Sequence, residues 1–207
     1  GAPQVLAIAA VQLSLPSPSP HPFRSTLTKG LLILIPIKGV TKITENRPLT
    51  LQNTSLKTIS QLLRQQITPL AAQICGPSQH GFIPKRRSAI AVKEVNSWLD
   101  HDQGIIMFVD LKQAFDSVDR QTLLDIISIL PLHSSISHLC QNLLAPATNY
   151  PVLGGRVSPA GFVAGRGVKQ GDPASPILFN IYLSPTQFIT PDAEFANPPT
   201  IYPKIQK

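Results

Sequence analysis

The sequence contains little cysteine. Its two cysteines, Cys75 and Cys140, lie far apart, and no Cys-x-x-Cys pair or Cys/His cluster accompanies them. This excludes the common structural zinc sites and makes a reducing, intracellular compartment the default expectation. A disulfide between the two cysteines stays open at this level.

Long apolar runs are also absent. No run reaches the ~18–20 residues that a membrane-spanning helix needs. The N-terminal stretch APQVLAIAAVQLSL is mildly apolar, but it has no basic segment and no initiator methionine. We therefore expect the start of a fragment or a divergent leader here, in preference to a secretory signal.

Acidic residues are scarce, with 11 Asp and Glu against 18 Lys and Arg, so the formal net charge is +7. This balance favours an anionic partner such as nucleic acid. The charges are also segregated: residues 31–99 hold nine Lys and Arg against two Glu, whereas residues 100–125 hold six Asp against two basic residues. Two ordinary solvated faces, or a polyanion-binding surface beside a cation site, would both explain this pattern.

Proline is abundant, with 21 residues in 207, about twice the usual ~5%. Ten of these prolines lie in residues 1–30 and 185–207, which predicts irregular segments at both ends. Between them, residues 31–184 form a patterned block in which strand and helix signals alternate. The block predicts an α/β or α+β fold.

Specific elements follow from the apolar spacing and the turn residues. The patterns predict a strand at 31–37 ended by Pro36, a helix at 55–74 kinked or broken by Pro69, a helix at 88–99 with Trp98 in the core, a buried strand GIIMFVD, a helix at 120–130 capped by Ser117 or Asp119, a hairpin around Gly154-Gly155, and a helix at 175–183 capped by Ser175 with Pro176 in its first turn.

Asp110 ends the apolar run GIIMFVD. A carboxylate at the end of a strand can hold Mg²⁺, which prefers oxygen ligands and keeps substrate phosphates in its shell. Phe115, five residues later, would then stand as a wall near a sugar. Taken alone, such an aspartate is more often a turn or cap residue.

A second motif, RGVKQGDPASPILFN at 166–180, combines a glycine-containing loop with a helix start. Gln170-Gly171 is expected to bring the backbone close to another group, because glycine has no Cβ. A capped helix after a loop would explain Asp172, Ser175 and Pro176 equally well.

Five motifs in one order resemble the reverse transcriptases, most nearly those of non-LTR (LINE-type) retrotransposons. The stretches MFVDLKQAFDSVDRQTLL and GRVSPAGFVAGRGVKQGDPASPILFNIYL resemble the family's palm. Upstream, the stretches ILIPIKG, ENRPLTLQNTSLKTISQLL and PSQHGFIPKRRS resemble its fingers. The resemblance covers residues 31–184 and implies a right-hand polymerase fold with fingers and an antiparallel palm sheet. It also implies RNA-directed DNA synthesis with Mg²⁺, an RNA template, a DNA primer and deoxynucleoside triphosphates.

The resemblance implies a role for individual residues. Asp110 matches the first metal-binding aspartate, and Phe115 matches the side chain that excludes a ribose 2′-hydroxyl. Lys38 and Arg47 match finger residues that hold the incoming triphosphate. The pair Gln170 and Gly171 matches the loop lining the nucleotide and template pocket.

One expected motif is missing from the sequence. The family's Phe/Tyr-Ala-Asp-Asp strand should follow the Gln-Gly loop, but the chain continues as PTQFITPDAEFANPPTIYPKIQK. We therefore predict a fragment whose catalytic site is incomplete and which is inactive alone. A non-catalytic nucleic-acid-binding derivative and a decayed reading frame are the alternatives.

Other polar residues have less specific signals. Lys85, Arg86 and Arg87 either contact template phosphates or form an ordinary exposed basic turn. His80 is expected to be structural. Asp116 is expected to start a helix or form a salt bridge in preference to binding a metal.

Overall fold

The computed structural model describes residues 27–36, 46–101, 106–185 and 202–203. Within these residues, five helices and a mixed five-stranded sheet form the molecule, which confirms the predicted α/β class. The predicted irregular segments 1–30 and 185–207 lie largely outside the described residues, so the proposed boundaries stay a prediction.

The sheet has the strand order β2-β1-β4-β5. Strand β1 (Gly30–Ile35) pairs antiparallel with β2 (Arg47–Gln52) along six residues, and parallel with β4 (Thr148–Leu153) on its other side. Strand β4 also pairs antiparallel with the short strands β5 (Arg156–Val157) and β6 (Phe162–Val163). The strand predicted at 31–37 is therefore confirmed over its described part.

The predicted hairpin is the turn that joins β4 and β5. Gly154 and Gly155 have φ angles of 54° and 77°. Two consecutive residues with positive φ are what a type I′ hairpin turn requires, and glycine adopts this conformation without a Cβ clash. The prediction of a hairpin at this position is confirmed.

Helix α1 (Thr54–Ile74) is the longest described element and lies against the core. Its buried positions recur at helical spacing and are Leu56, Ile59, Ser60, Leu63, Ile67 and Ala71. The side chain of Asn53 caps its start by accepting a hydrogen bond from the Ser55 N–H. The helix runs unbroken through the exposed Pro69, so of the predicted kink or break the break is wrong and the kink stays a prediction. Packing of the buried stripe outweighs the hydrogen bond that proline removes.

Three further helices contribute to the core: α3 (Arg120–Ile129), α4 (Ser134–Leu144) and α5 (Ser175–Leu183). Helices α4 and α5 each contact α1, and α3 contacts α4 and α5. Asp119 caps α3, because its carboxylate accepts a hydrogen bond from the Thr122 N–H at 2.8 Å. Of the two caps predicted for this helix, Asp119 is therefore the one that forms.

The predicted cap of α5 is wrong by one residue. Ala174 occupies the cap position, and Ser175 is already helical and buried. Asp172 compensates for the missing cap side chain, since its Oδ1 accepts a hydrogen bond from the Ala174 N–H at 2.9 Å. Pro176 lies in the first turn as predicted, where its missing N–H costs no helical bond.

The predicted buried strand at GIIMFVD is also wrong. Of its described residues, 106–110, only Phe108–Val109 form a strand, β3, which pairs parallel with β7 (Tyr202–Pro203). Met107 is 66% exposed and Phe108 is 56% exposed. The apolar composition predicts burial only where neighbouring strands or helices cover both faces, and β7 is the only strand that pairs with β3 among the described residues.

Helix α2 (Ser88–His101) confirms a predicted helix but not its predicted burial. Ile90, Val92 and Leu99 are exposed, and Trp98 is half-buried. Trp98 does not belong to the buried core, so its predicted place there is wrong.

Both cysteines are buried and free, so no disulfide joins them. Burial raises the pKa of the Cys140 thiol to about 12. None of the helices formed by the described residues has the length and apolarity that crossing a bilayer demands.

Candidate functional site

Two segments meet beside α5. The Gln-Gly loop (residues 166–172) precedes the helix, and the Phe115 turn (residues 113–119) precedes α3. The Val168 N–H donates to the Phe115 carbonyl at 2.9 Å, which ties the loop to the turn directly. Two motifs separated by about fifty residues of sequence therefore form one joint.

Gly167 allows this close packing. Its N–H donates to the Val118 carbonyl at 2.8 Å, and its φ is +87°. A Cβ added at Gly167 would lie 2.9 Å from both the Cα and the carbonyl oxygen of Asp116. Any larger residue would push the loop away from the turn.

Arg120 also binds this loop. Its guanidinium donates to the loop carbonyls of Gly167 at 2.7 Å and Arg166 at 3.0 Å, and to the Ala164 carbonyl just before the loop at 2.9 Å. The five donors of a guanidinium suit this arrangement. Sequence reasoning missed this contact, because an arginine at the start of a helix gives no signal of its distant partners.

The other end of the loop reaches the sheet. The Thr50 N–H donates to the Gln170 carbonyl at 2.9 Å. Gly171 has a φ of +98°, and a Cβ there would lie 2.8 Å from Leu49 Cδ1 and 3.1 Å from the Thr50 carbonyl oxygen. The predicted close backbone approach at Gln170-Gly171 is real, and the group approached is strand β2.

The Gln170 side chain turns back to the Phe115 turn. Its Nε2 donates to Asp116 Oδ2 at 2.9 Å. Burial raises the pKa of Asp116, and the hydrogen bond from Gln170 partly offsets that increase. Asp119, not Asp116, caps α3, and Asp116 forms no ion pair with any described residue. The expected role of Asp116 is therefore replaced by a contact with Gln170.

Phe115 lies between the loop and the core. Its ring stacks on Phe179 of α5, with a centroid separation of 5.0 Å and an interplanar angle of 16°. Phe115 is half-buried and packs against the hydrophobic core. A half-buried ring can pack against the core with one side and face the surface with the other.

The remaining predicted site residues are more dispersed. Asp110 is exposed and follows β3 directly. Arg47 is exposed at the start of β2, opposite Ile35 of β1. Lys38 lies outside the described residues. The described contacts thus join Phe115, Gln170 and Gly171 into one site, whereas no contact of Asp110 or Arg47 with that site is among them.

Comparison with known proteins decides the family. Residues 35–192 match the family model described as reverse transcriptase (RNA-dependent DNA polymerase). The chain belongs to the reverse transcriptase family. The match covers more than half of the chain and includes both halves of the joint.

Several retrotransposon proteins are similar to this reverse transcriptase chain. It is 30% identical over 151 residues to the Pol polyprotein of the type-2 element R2DM of Drosophila melanogaster, which covers 68% of the chain and 14% of that protein. It is 32% identical over 78 residues to the Pol polyprotein of a type-1 R2 element of Popillia japonica, covering 38% and 13%. It is 24% identical over 163 residues to an uncharacterized 149 kDa protein of transposon TX1 of Xenopus laevis, covering 76% and 12%.

These relatives come from non-LTR retrotransposons, as the sequence motifs predicted. The chain spans about an eighth of the length of the curated relatives it matches. Proteins of the reverse transcriptase family act on a nucleic-acid template and primer.

Reverse transcriptases are nucleotidyltransferases that generally use a divalent metal. Two-metal phosphoryl transfer needs several carboxylates close together. Within residues 27–36, 46–101, 106–185 and 202–203, no group of three or more His, Cys, Asp or Glu side chains is placed to hold a metal ion. Asp110 alone does not fit a complete metal centre of this family.

The basic turn at residues 85–87 contains two different environments. Arg86 is half-buried and donates to the carbonyls of Gly76 at 2.6 Å and Gln79 at 2.9 Å near the end of α1. Lys85 and Arg87 are exposed on either side of it. Template contact stays a prediction for all three, and the exposed pair is the part free to make it.

The neighbouring PSQHGF stretch is structural, as expected for His80. The His80 Nε2 lies 2.9 Å from Glu94 Oε2 on α2. Gln79 Nε2 donates to Asn180 Oδ1 at 2.9 Å, and Asn180 Nδ2 donates to the Gly81 carbonyl at 2.8 Å. This stretch, predicted to belong to the fingers, is therefore fixed to α5, the helix that follows the Gln-Gly loop.

Proposed function

We propose that this chain supplies the fingers and part of the palm of an RNA-directed DNA polymerase encoded by a non-LTR retrotransposon. Residues 31–184 would form this unit. The joint between the Gln-Gly loop and the Phe115 turn would line the pocket for an incoming deoxynucleotide and the template. An RNA template and a DNA primer are its proposed nucleic-acid partners, and Mg²⁺ is the proposed ion of the complete enzyme.

One observation carries this proposal. The Gln-Gly loop bonds to β2 through the Gln170 carbonyl and to the Phe115 turn through the Gln170 side chain. The loop therefore holds a predicted finger strand and a predicted palm turn in fixed relation. A polymerase needs such a fixed relation, because positioning of the nucleotide supplies much of its rate enhancement.

The proposed role of each residue follows from its chemistry. The half-buried Phe115 ring offers a rigid apolar surface for a sugar, and its stacking on Phe179 restricts its movement. Gln170 offers a neutral hydrogen-bonding group beside it. Asp110, in an exposed position, is the proposed metal-binding residue, and Lys38 and Arg47 are proposed to hold the triphosphate.

A non-catalytic nucleic-acid-binding function is the second candidate. The observation that favours it is the lack of a carboxylate cluster among the described residues. This derivative would bind nucleic acid through its basic finger segment, and only the complete enzyme would extend a primer.

A template–primer with a photoreactive base at the first unpaired template position tests the proposal. We expect crosslinks within residues 110–120 and 166–172 of the chain, detected by mass spectrometry of tryptic peptides. Crosslinks scattered over exposed lysines outside these two segments would contradict the proposed pocket.

Primer extension by the same preparation, with Mg²⁺ and deoxynucleotides, tests how complete the site is. We expect no extension above a protein-free reaction, because Asp110 alone cannot hold two metal ions. Template-dependent extension that Asp110→Ala abolishes would show that the chain contains the whole catalytic site.

A further inference from the structure

The contact between Asp116 and Gln170 has a chemical consequence for the ligand. The carboxylate Oδ2 and the amide Nε2 are 2.9 Å apart, with both side chains half-buried. An ionised carboxylate accepts hydrogen bonds and donates none. It therefore accepts only the NH₂ end of the Gln170 amide, and the opposite end, Oε1, faces away from it.

The Gln170 Oε1 atom is open for a further contact. None of the described residues donates a hydrogen bond to it, and it is not among the buried polar atoms that lack a partner. Asp116 Oδ2 takes one of the two N–H groups of Gln170 Nε2 and so fixes which end of the amide faces the carboxylate. The end turned away from the carboxylate is the acceptor, Oε1.

We propose that Asp116 is a positioning residue that fixes the Gln170 amide so that Oε1 accepts a hydrogen bond from a donating group of the bound nucleic acid or nucleotide. This proposal rests on the proposed function. Sugar hydroxyls, exocyclic base amines and ring N–H groups are the donating groups that such ligands offer, and the 2′-hydroxyl and the exocyclic amine are the two that matched oligonucleotides can lack. Carbonyl groups of bases would be disfavoured at this point.

The surrounding backbone keeps the pair in place. Gly167 packs against the Asp116 backbone so closely that a Cβ would lie 2.9 Å from it. Arg120 fixes the loop through three carbonyls, and the Gln170 carbonyl is bonded to the Thr50 N–H. Because both backbones are fixed, little conformational freedom is lost when the Asp116–Gln170 bond forms.

Side-chain amide NMR of the full chain tests the positioning without any ligand. In the wild type we expect slow solvent exchange for a Gln170 Nε2 proton, and loss of that protection in Asp116→Leu. Asp116→Asn should restore part of it, because the asparagine oxygen also accepts. Asp125→Asn is the matched control, since Gln121 Nε2 bonds to Asp125 Oδ1 at 2.8 Å on the exposed face of α3.

Binding of matched oligonucleotides tests the ligand chemistry. The arms are RNA against 2′-fluoro RNA, which removes the sugar donor, and adenine against purine bases, which removes the amine. One of these affinity ratios should be about two- to tenfold in the wild type, the effect of one hydrogen bond. It should fall toward one in Gln170→Met and Asp116→Leu and stay unchanged in Asp125→Asn.

Each failure has its own meaning. Ratios near one in the wild type would overturn the acceptor role of Gln170. A ratio that changes in Gln170→Met but not in Asp116→Leu would overturn the role of Asp116. Absence of binding to every oligonucleotide, with the Gln170 signals of the wild type intact, would instead overturn the proposed function and this ligand assignment, leaving only the Asp116–Gln170 contact.

Discussion

At the scale of single side chains, three consecutive basic residues have different environments. Lys85, Arg86 and Arg87 have the same sequence signal for phosphate contact, yet Arg86 lies against the end of α1. Its guanidinium donates to the Ala72 carbonyl in the last turn of α1 and to the Gly76 carbonyl just beyond the helix. The sequence could not separate the three, because the distinction depends on where a helix 12 or more residues earlier comes to an end.

We expect Arg86→Met to lower the free energy of unfolding by about 1–3 kcal/mol, because carbonyls near the helix end lose charged hydrogen-bond donors. Urea denaturation followed by circular dichroism measures this change. Arg87→Met is the matched control, since Arg87 is exposed, and it should shift stability by no more than about 0.5 kcal/mol. Equal effects of the two substitutions would show that Arg86 does not stabilise the end of α1.

At the scale of elements, predictions were reliable where a local signal coincides with packing. Residues close in sequence determine three of the confirmed features. These are the buried stripe of α1, the Asp119 cap of α3 and the Gly154-Gly155 turn. Burial of β3 failed because it depends on strands that other parts of the chain must supply. The predicted burial of the apolar residues of α2 failed for the same reason.

Some features of the candidate site were likewise predictable from the sequence, and others were not. The closeness of Gly171 to another backbone was predictable, because glycine in a loop signals a missing Cβ. The identity of the partner, strand β2, was not, because about 120 residues separate the two in sequence. The contacts of Asp116 and Arg120 with the Gln-Gly loop were equally hidden, since polar side chains give no signal of long-range pairing.

Gly171→Ala tests the contact between the Gln-Gly loop and β2. The φ of +98° is strained for alanine, and its Cβ would meet Leu49 Cδ1 and the Thr50 carbonyl oxygen. We expect a loss of about 2 kcal/mol or more in the free energy of unfolding. Gly165→Ala is the control, because nothing lies within 4 Å of a Cβ there. If both variants unfold at the same urea concentration, the loop does not pack on β2 in solution.

At the scale of the whole molecule, the distribution of charge is the feature that bears on nucleic-acid binding. The formal net charge is +7, and the excess lies in residues 31–99. Strands β1 and β2 and helix α1 come almost entirely from that segment, whereas the Phe115 turn comes from the acidic segment at 100–125. Long-range electrostatics would therefore attract nucleic acid to the basic segment and not to the Phe115 turn.

We expect the chain to bind RNA and DNA with little sequence preference and strong salt dependence. Each phosphate contact made by Lys or Arg should contribute about −0.7 to −0.9 to the slope of log K against log salt. Lys85 and Arg87 are exposed and unlike Arg86 are not bonded to the end of α1, so their simultaneous replacement by Glu should flatten that slope by about 1.4–1.8. Affinity should fall by a similar factor for all sequences.

Fluorescence anisotropy across a salt series measures this effect on the folded chain. Arg156→Glu is the matched control, because Arg156 is equally exposed but lies in β5, outside the basic segment. It should leave the slope unchanged while altering the net charge in the same direction. If Arg156→Glu flattens the slope as much, per residue replaced, as the Lys85 and Arg87 replacement does, binding follows overall charge and not the basic segment. An unchanged slope in all variants would remove these residues from the nucleic-acid surface.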